Sequence, residues 1–323
     1  MKLIVFSICK DEAETIGQVL DNIPKKINGI ESMAKLVLSD GSTDNTAKIA
    51  EKHGAEVIVG IEQKGLAYRF QQALEVVLNK GADIAVNIDG DLQFDPKDIP
   101  KLVKPIVGGD ADFVAADRFT DPRTGKRRKP ENMPLNKYWA NRIGSWAMGA
   151  LSNYKFRDVT CGFRAYNKEA MLALNINGKY TYTQESFQIL AKKRKGIASV
   201  PVEVKYFEGR ESRVVTNFNQ FLFGSALNIL RAFRDFAPLR FFIYLGLIPF
   251  VLGLLFTGFV GWHWLETSRT SPYQLLGFIG VYLLSLGIII WIIGVVADML
   301  DRVLNNQEKI LEESKRARYE RNK

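Results

Sequence analysis

The sequence predicts an α/β domain followed by a two-helix membrane hairpin. Three observations indicate this organisation. Short apolar runs alternate with segments of helical periodicity from Lys2 to Arg118, and two long uncharged runs lie towards the carboxyl end. Of the 323 residues, 47% are hydrophobic and 24% charged, a composition typical of a folded protein rather than a disordered one.

The alternating region predicts a parallel, doubly wound sheet. Strand-like runs cover Leu3–Ile8, Lys35–Ser39, Glu56–Val59, Asp83–Ile88 and Phe113–Ala116. Helical periodicity covers Glu14–Asn22, Asp44–Lys52, Leu66–Leu78 and Ile99–Val107. Strand–helix alternation at this spacing favours right-handed crossovers between parallel strands. Ligands of such sheets bind at the carboxyl ends of the strands.

The alternation stops after Arg118. A basic loop, Arg123–Lys129, precedes a helix that contains Arg142, and a later strand is predicted over Ala198–Val204. Apolar residues in Thr216–Phe236 recur at helical spacing, which predicts an amphipathic helix. Since this segment directly precedes a long apolar run, we expect it to lie in a membrane interface.

Two uncharged runs predict membrane-spanning helices. Phe241–Val260 has 20 residues and Leu275–Ala297 has 23, without a single charge in either. At 1.5 Å rise per residue each spans about 30 Å, the thickness of a hydrocarbon core. A buried hairpin of a soluble protein is the alternative, but apolar runs of this length seldom occur in one.

Charge asymmetry predicts the orientation of the hairpin. The connecting loop Gly261–Gln274 carries one arginine and one acid, whereas the outer flanks are rich in arginine and lysine. By the positive-inside rule both flanks, and therefore most of the chain, face the cytoplasm. The predicted division is a globular domain over 1–214, an interface helix over 215–240, two membrane helices over 241–297 and a charged tail helix over 298–323.

Net charge and cysteine content restrict the function classes. The net charge is +9, and clusters such as Arg123–Lys129 suit nucleic acid, anionic headgroups or phosphorylated substrates. Nucleic acid is excluded as a partner because the sequence has neither a binding motif nor interleaved aromatic residues. Two distant cysteines fit a reducing compartment. The phosphate-binding glycine motifs of dinucleotide enzymes and P-loop proteins are absent from the sequence.

An acidic turn follows the fourth predicted strand: Asp89-Gly90-Asp91. Neighbouring carboxylates are costly to desolvate unless a cation lies between them. Residues two apart on an extended strand share one face, and hard divalent cations prefer oxygen ligands. A solvated turn is the alternative. Asp40 falls at the same predicted edge, where Ser42 and Asp44 equally fit a helix start with Ser42 as the cap.

Taken in order, these motifs resemble the polyprenyl-phosphate glycosyltransferases of glycosyltransferase family 2, which include dolichyl-phosphate mannose and glucose synthases. The resemblance covers nearly the whole chain. It rests on Asp11-Glu12, Asp40-Gly-Ser-Thr-Asp44, Lys64-Gly65, Asp89-Gly-Asp91-Leu-Gln93, Arg118, Asp158 with Cys161-Gly-Phe163, Glu185, Arg210 with Ser212-Arg213, and Ala237-Pro-Leu-Arg-Phe-Phe242. It implies a GT-A fold and inverting transfer of a hexose from a UDP- or GDP-linked sugar to dolichyl or undecaprenyl phosphate.

The resemblance also implies roles for individual residues. The nucleotide sugar would contact Asp11, Glu12, Asp40, Lys64, Gly65, Asp89 and Gly90, and Mg²⁺ or Mn²⁺ would bind Asp89, Asp91 and Gln93. The acceptor phosphate would contact Arg118, Arg142, Arg210, Ser212 and Arg213, and catalysis would depend on Asp91, Arg118, Asp158 and Arg213. Similar proteins assemble through their membrane segments, which allows a homo-oligomer.

The sequence departs from the family pattern on the base-binding side. The first loop reads Ile8-Cys-Lys-Asp-Glu12 where the family usually has proline-x-tyrosine-asparagine-glutamate, and Ser39 replaces a common aspartate. The identity of the nucleotide therefore stays open.

The chemistry of a phosphate acceptor agrees with this set of residues. A phosphate monoester has a second pKa of about 6, so it is already an anion near neutral pH and needs no general base. Guanidinium groups suit such an anion. A processive polysaccharide synthase is one alternative, but its Gln-x-x-Arg-Trp motif is missing and two membrane helices are few for a channel. A non-catalytic membrane assembly subunit is another, against which the intact D-x-D-x-Q pattern argues.

Overall fold

The computed structural model describes residues 1–152, 154–176, 182–206, 230–231 and 233–320. The chain divides into two compact units, residues 1–218 with 311–323 and residues 219–310. Most of the predicted amphipathic segment 216–236 lies outside the described residues, so its helix and the predicted domain bounds stay predictions.

The first unit is built on a seven-stranded mixed sheet. Its strands are β1 (Lys2–Cys9), β2 (Ser32–Asp40), β3 (Glu56–Gly60), β4 (Ile84–Asn87), β5 (Phe113–Asp117), β6 (Arg164–Asn167) and β7 (Ile197–Pro201), in the order β3-β2-β1-β4-β6-β5-β7. Strands β1, β2, β3 and β4 pair in parallel, as do β5 and β7. The carboxyl ends of β1, β2 and β4 therefore meet at one edge of the sheet.

Helices cover both faces of this sheet, because successive side chains of a buried strand point to opposite sides. The helices are α1 (Ile16–Asp21), α2 (Thr46–Lys52), α3 (Leu66–Asn79), α4 (Ile99–Val107), α5 (Leu135–Ser152), α6 (Lys168–Ala173) and α7 (Tyr182–Lys192). Leu3 and Val5 of β1 belong to the core formed with α1 and α4. Phe6 packs on the other face against Phe70 of α3, with ring centroids 6.0 Å apart.

Strand β6 was not predicted. It lies antiparallel between β4 and β5 and so interrupts an otherwise parallel order. Its four residues, Arg164-Ala-Tyr-Asn167, lack the apolar run that indicated the other strands, although Arg164 and Tyr166 are completely buried. The predicted α/β fold class is confirmed with this addition.

The second unit contains two long helices, α8 (Pro238–Thr267) and the greater part of α9 (Gln274–Glu320). Both are long and apolar enough to span a bilayer, and only 17% of the most apolar window of each is buried. A core hairpin of a soluble protein would be mostly buried, so this alternative loses support. The second apolar run and the predicted tail form one continuous helix of 47 residues.

The carboxyl-terminal end of α9 belongs to the globular unit. Arg316 donates two hydrogen bonds to Glu169 at the start of α6, of 2.8 and 2.6 Å. Lys315 donates to the carbonyl of Leu174 (2.9 Å), and Glu312 pairs with Lys193 (3.1 Å). The basic tail is therefore a packed part of the α/β domain at this end, and its charges are partly used inside the protein.

Candidate active site

The loops that follow β1 and β4 close on each other at the carboxyl edge of the sheet. The Thr15 hydroxyl donates to the carbonyl of Gly90 at 2.6 Å. A Cβ added at Gly90 would lie 2.2 Å from Glu12 Oε2 and 2.7 Å from Cys9 Sγ. A larger residue between the two predicted metal ligands would therefore displace side chains of the first loop.

Three carboxylates converge around the thiol of Cys9. Burial raises the pKa of this thiol well above its usual value, and the negative charges of Glu12, Asp89 and Asp91 raise it further. The turn itself is tight, because Asp91 Oδ1 accepts from the backbone N–H of Gln93 at 3.1 Å and Leu92 has a left-handed φ of 60°. The structure thus brings the predicted acidic residues together.

Buried polar residues lie beside Asp89. Both carboxylate oxygens lie 3.0 Å from the position of a Cβ on Gly162, and the Tyr182 hydroxyl lies 3.2 Å from the same point. Asn87 donates from Nδ2 to the carbonyl of Gly162 (2.9 Å) and to the hydroxyl of Tyr182. Tyr182 is completely buried and stacks on Phe70, with centroids 4.0 Å apart. Sequence reasoning missed Asn87 and Tyr182, since neither belongs to a recognisable motif.

A buried arginine fixes the loop that carries Asp158 and Gly162. Arg164 is fully buried and donates from Nε to the carbonyl of Cys161 (2.6 Å) and from Nη2 to the carbonyl of Val159 (3.0 Å). Asp158 and Gly162, the glycine next to Asp89, therefore lie on a loop that is held by one side chain, Arg164.

Asp40 organises the start of α3. Its carboxylate accepts from the backbone N–H groups of Lys64 (2.8 Å) and Gly65 (2.9 Å) and from Nε of Arg69 (2.8 Å). These bonds occupy three of about four lone-pair sites of the buried carboxylate. The structure thus brings the predicted nucleotide residues Asp40, Lys64 and Gly65 together, and a direct contact of Asp40 with a nucleobase stays a prediction.

The first and second loops are joined by hydrogen bonds. Asp11, at a left-handed φ of 52°, accepts from the N–H of Thr43 (2.8 Å), and its own N–H donates to Ser42 Oγ (3.2 Å). Asp44 accepts from the N–H groups of Thr46 (2.9 Å) and Ala13 (3.1 Å). The predicted cap of α2 is therefore corrected: Ser42 bonds the first loop, and Asp44 bonds the first residue of the helix.

On the other side of the site, Arg118 and Asp158 form a buried ion pair. Nε and Nη2 of Arg118 donate to the two carboxylate oxygens at 2.6 and 2.9 Å. Burial acts to raise the pKa of Asp158, but the charge and hydrogen bonds of Arg118 lower it overall. Nη1 donates to the hydroxyl of Tyr206 at 3.1 Å. Asp158 thus orients Arg118 and balances its charge, which leaves less of the guanidinium for a phosphate than the sequence suggested.

Lys137 of α5 supplies a cation that sequence reasoning missed. Its Nζ lies 5.2 Å from the centre of the Tyr206 ring. Burial lowers the pKa of Lys137, the charge of Arg118 lowers it further, and the charge of Asp91 opposes them. Lys137 therefore lies within electrostatic reach of both the acidic turn and the arginine pair. It is one of 44 basic residues, and no sequence pattern distinguished it.

Two of the remaining predicted residues, Arg142 and Glu185, lie on helices of the same unit. Arg142 is half-exposed on α5 and has no hydrogen bond or ion pair with another described residue. Arg210, Ser212 and Arg213 lie outside the described residues. Glu185 is in the first turn of α7, where a helix favours an acid.

No group of three or more histidine, cysteine or acidic side chains within the described ranges is arranged to hold a metal ion.

Comparison with known proteins identifies the family. The sequence profile of "Glycosyl transferase family 2" matches residues 4–174, more than half of the chain. The chain belongs to glycosyl transferase family 2. The resemblance drawn from the motifs is thereby confirmed, and the protein is a glycosyltransferase.

Relatives and structural neighbours agree with this assignment. Glycosyltransferase AglJ of Haloferax volcanii is 28% identical over 94% of this chain and 95% of its own length. A UDP-N-acetylglucosamine–dolichyl-phosphate N-acetylglucosaminyltransferase of Methanococcus voltae is 31% identical over 58% of this chain and 81% of its own. Glucosyl-3-phosphoglycerate synthase of Mycobacterium tuberculosis, solved with Mn²⁺, UDP and phosphoglyceric acid, has a TM-score of 0.53 at 21% identity, covering 71% of this chain and 78% of its own. The last likeness supports the GT-A fold.

Proposed function

We propose that this glycosyltransferase moves a hexose from a UDP-linked sugar to a polyprenyl phosphate, with inversion at the anomeric carbon. The observation that carries the proposal is a pair of cations at Tyr206: Lys137 Nζ lies 5.2 Å from the centre of its ring, and Arg118 donates to its hydroxyl at 3.1 Å. The charge of Asp91 in the acidic turn also acts on Lys137. The departing diphosphate and the attacking phosphate are both anions. A site that binds them side by side therefore needs cationic groups close to each other. Relatives named for dolichyl phosphate and for a UDP-linked sugar support the choice of both substrates.

The acidic turn fits a divalent cation. Asp89 and Asp91 supply hard oxygen ligands beside a third acid, Glu12, and Gln93 follows in the same turn. We infer that Asp89, Asp91 and Gln93 hold Mg²⁺ or Mn²⁺ together with the diphosphate, and the solved neighbour with Mn²⁺ and UDP supports this assignment. When bound, the ion would neutralise charge that develops on the departing diphosphate.

The chain's own residues position the acceptor. Its phosphate is already ionised near neutral pH, with a second pKa of about 6, so the site has to attract and orient it rather than deprotonate it. Lys137 provides a cation, and Arg118 is held in place by Asp158. Attack from the face opposite the diphosphate gives inversion.

The reaction would take place at the cytoplasmic surface of a membrane. A polyprenyl chain leaves a bilayer at a cost of about 0.8 kcal/mol per CH₂, so the enzyme has to reach the lipid where it lies. Helices α8 and α9 are long and apolar enough to anchor it there, and the arginine-rich flanks support a cytoplasmic position of their outer ends.

A substrate panel tests the proposal. Full-length protein in polyprenyl-phosphate vesicles is incubated with UDP- and GDP-linked hexoses and Mn²⁺ or Mg²⁺, and lipid-linked sugar is measured. We expect product from a UDP-linked hexose, none with EDTA, and a loss of at least a hundredfold in Asp91→Asn, of the order found when catalytic charge stabilisation is removed. Undiminished transfer in EDTA, or nucleotide-sugar turnover that never requires the lipid, would contradict the proposal.

A further inference from the structure

The last ten described residues of α9, 311–320, pack on the α/β domain and are termed the carboxyl-terminal segment. The residues that make the contact are spaced by three, one and three positions, so they share one side of the helix: Glu312, Lys315, Arg316 and Tyr319. Tyr319 is only 5% exposed, and the charge of Glu75 on α3 acts on it. The segment therefore has a defined binding face.

This face holds both ends of α6. Helix α6 has six residues, too few to form a stable helix by itself. Arg316 donates to both carboxylate oxygens of Glu169 in its first turn, at 2.8 and 2.6 Å. At the other end, where a helix leaves carbonyls without internal partners, Lys315 donates to the carbonyl of Leu174 at 2.9 Å. The position of α6 thus depends on the segment.

The end of α7 is held by the same segment. Glu312 pairs with Lys193 at 3.1 Å and with Lys195 at 3.8 Å. Lys195 also pairs with Glu169 at 3.4 Å, and Lys193 donates to the carbonyl of Ala173 at 2.7 Å. The side chains of Glu312, Lys193 and Lys195 are 18%, 16% and 19% exposed, so water screens these pairs less than ordinary surface pairs. One network of charges therefore links α9, α6 and α7.

The opposite ends of these elements lie beside the acidic turn. Helix α7 begins with Tyr182, whose hydroxyl lies near Asp89. Helix α6 directly follows β6, whose Arg164 fixes the loop of Asp158 and Gly162. Rigid helices transmit a displacement from one end to the other. Release of the segment would therefore move groups that border Asp89.

We propose that binding of the carboxyl-terminal segment to α6 and α7 keeps the donor site in its binding conformation, and that Glu312 and Arg316 are positioning residues for the transfer reaction. The proposal rests on the proposed function, which assigns the nucleotide diphosphate and its divalent cation to the acidic turn. Loss of the Arg316 contact should weaken donor binding about fivefold, at the low end of couplings between distant sites.

Charge reversal in the full-length protein tests the effect on the donor site. Arg316→Glu places an acid against Glu169, whereas Arg316→Lys keeps a cation there. Arg318→Glu is the matched control, because it makes the same change of charge at an exposed position two residues further along the helix. Binding of UDP with Mn²⁺ is measured by isothermal titration calorimetry without acceptor lipid. We expect about fivefold weaker binding in Arg316→Glu, recovery of most of the affinity in Arg316→Lys and no change in Arg318→Glu.

Hydrogen exchange measures the conformational step without any ligand. In Arg316→Glu the backbone amides of α6 and α7 should exchange about tenfold faster, because these helices then open more often. The amides of α2, which belongs to the core on the other face of the sheet, should exchange as in the unaltered protein.

Four outcomes would overturn the proposal. Unchanged exchange in α6 and α7 would show that the segment does not hold them, and equal acceleration in α2 would show general loosening of the domain. Faster exchange with an unchanged affinity for UDP and Mn²⁺ would show that the effect does not reach the donor site. An equal loss of affinity in Arg318→Glu would assign the effect to net charge. Failure of the unaltered protein to bind UDP would instead reject the proposed function, and the exchange data would still decide whether the segment holds α6 and α7.

Discussion

Lys137 and Arg142 lie on the same helix. The family resemblance assigns Arg142 to the acceptor phosphate, whereas the contacts in the structure favour Lys137. Lys137 lies close to the Tyr206 ring, and its pKa is shifted by the charges of Arg118 and Asp91. Arg142 has no hydrogen bond or ion pair with another described residue. We expect Lys137→Met to raise the KM for polyprenyl phosphate about tenfold or more, since a hydrogen bond to a charged group is worth about 1.5–3 kcal/mol. Steady-state kinetics with both substrates measure this effect, and Arg142→Met is the control. A larger effect of Arg142→Met would favour the resemblance over the geometry.

The Tyr182 hydroxyl lies near Asp89, since both are within 3.2 Å of the same point at Gly162, and Asn87 donates a hydrogen bond to it. If Asp89 holds a metal, Tyr182→Phe should weaken Mn²⁺ binding about tenfold, as removal of groups that orient metal ligands does. Titration of the nucleotide-free protein by electron paramagnetic resonance measures the affinity without turnover. Tyr166→Phe is a close control, because Tyr166 is equally buried and its ring packs against the same Phe70, with centroids 5.7 Å apart. Equal losses in both variants would indicate general loosening of the core rather than support of Asp89.

These residues show what sequence reasoning can find in a site. Asp40, Asp89 and Asp91 were predictable because acids at the ends of buried strands have few structural explanations. Tyr182, Asn87 and Lys137 were not, because their roles depend on contacts between segments distant in sequence. The pairing of Arg118 with Asp158 joins residues 40 positions apart, and it gives a buried partner to an arginine that the resemblance assigned to phosphate.

The same limit applies to secondary-structure elements. Strands β1 to β5 follow apolar runs and were predicted within a few residues. Strand β6 was missed because it includes the buried Arg164. The free-energy cost of burying this guanidinium is offset by hydrogen bonds to backbone carbonyls of a neighbouring loop. The tail predicted as a charged helix is helical up to Glu320, and the change from apolar to charged composition does not interrupt α9.

Glycines allow close packing of α8 against α9. A Cβ at Gly253 would lie 2.6 Å from the carbonyl oxygen of Gly280, whereas a Cβ at Gly258 would meet nothing within 4 Å. Gly253→Val should therefore destabilise the helix pair by about 1–3 kcal/mol, the usual cost of overpacking, and Gly258→Val should have little effect. Thermal unfolding in detergent, followed by near-ultraviolet circular dichroism, compares the two variants. Equal stability of both would contradict the packing of the hairpin.

At the scale of the whole molecule, catalysis on a lipid depends on which side of the membrane the α/β domain occupies. The charge distribution predicts that both flanks of the hairpin lie in the cytoplasm and the loop 261–274 outside. Single cysteines at exposed positions test this, since Cys9 and Cys161 are buried. On intact cells a membrane-impermeant maleimide should label Glu266→Cys in the loop and leave Glu31→Cys of the α/β domain unlabelled until lysis. The reverse pattern would place the domain outside, away from cytoplasmic nucleotide sugars, and would exclude the proposed reaction in the cell even if purified protein performed it.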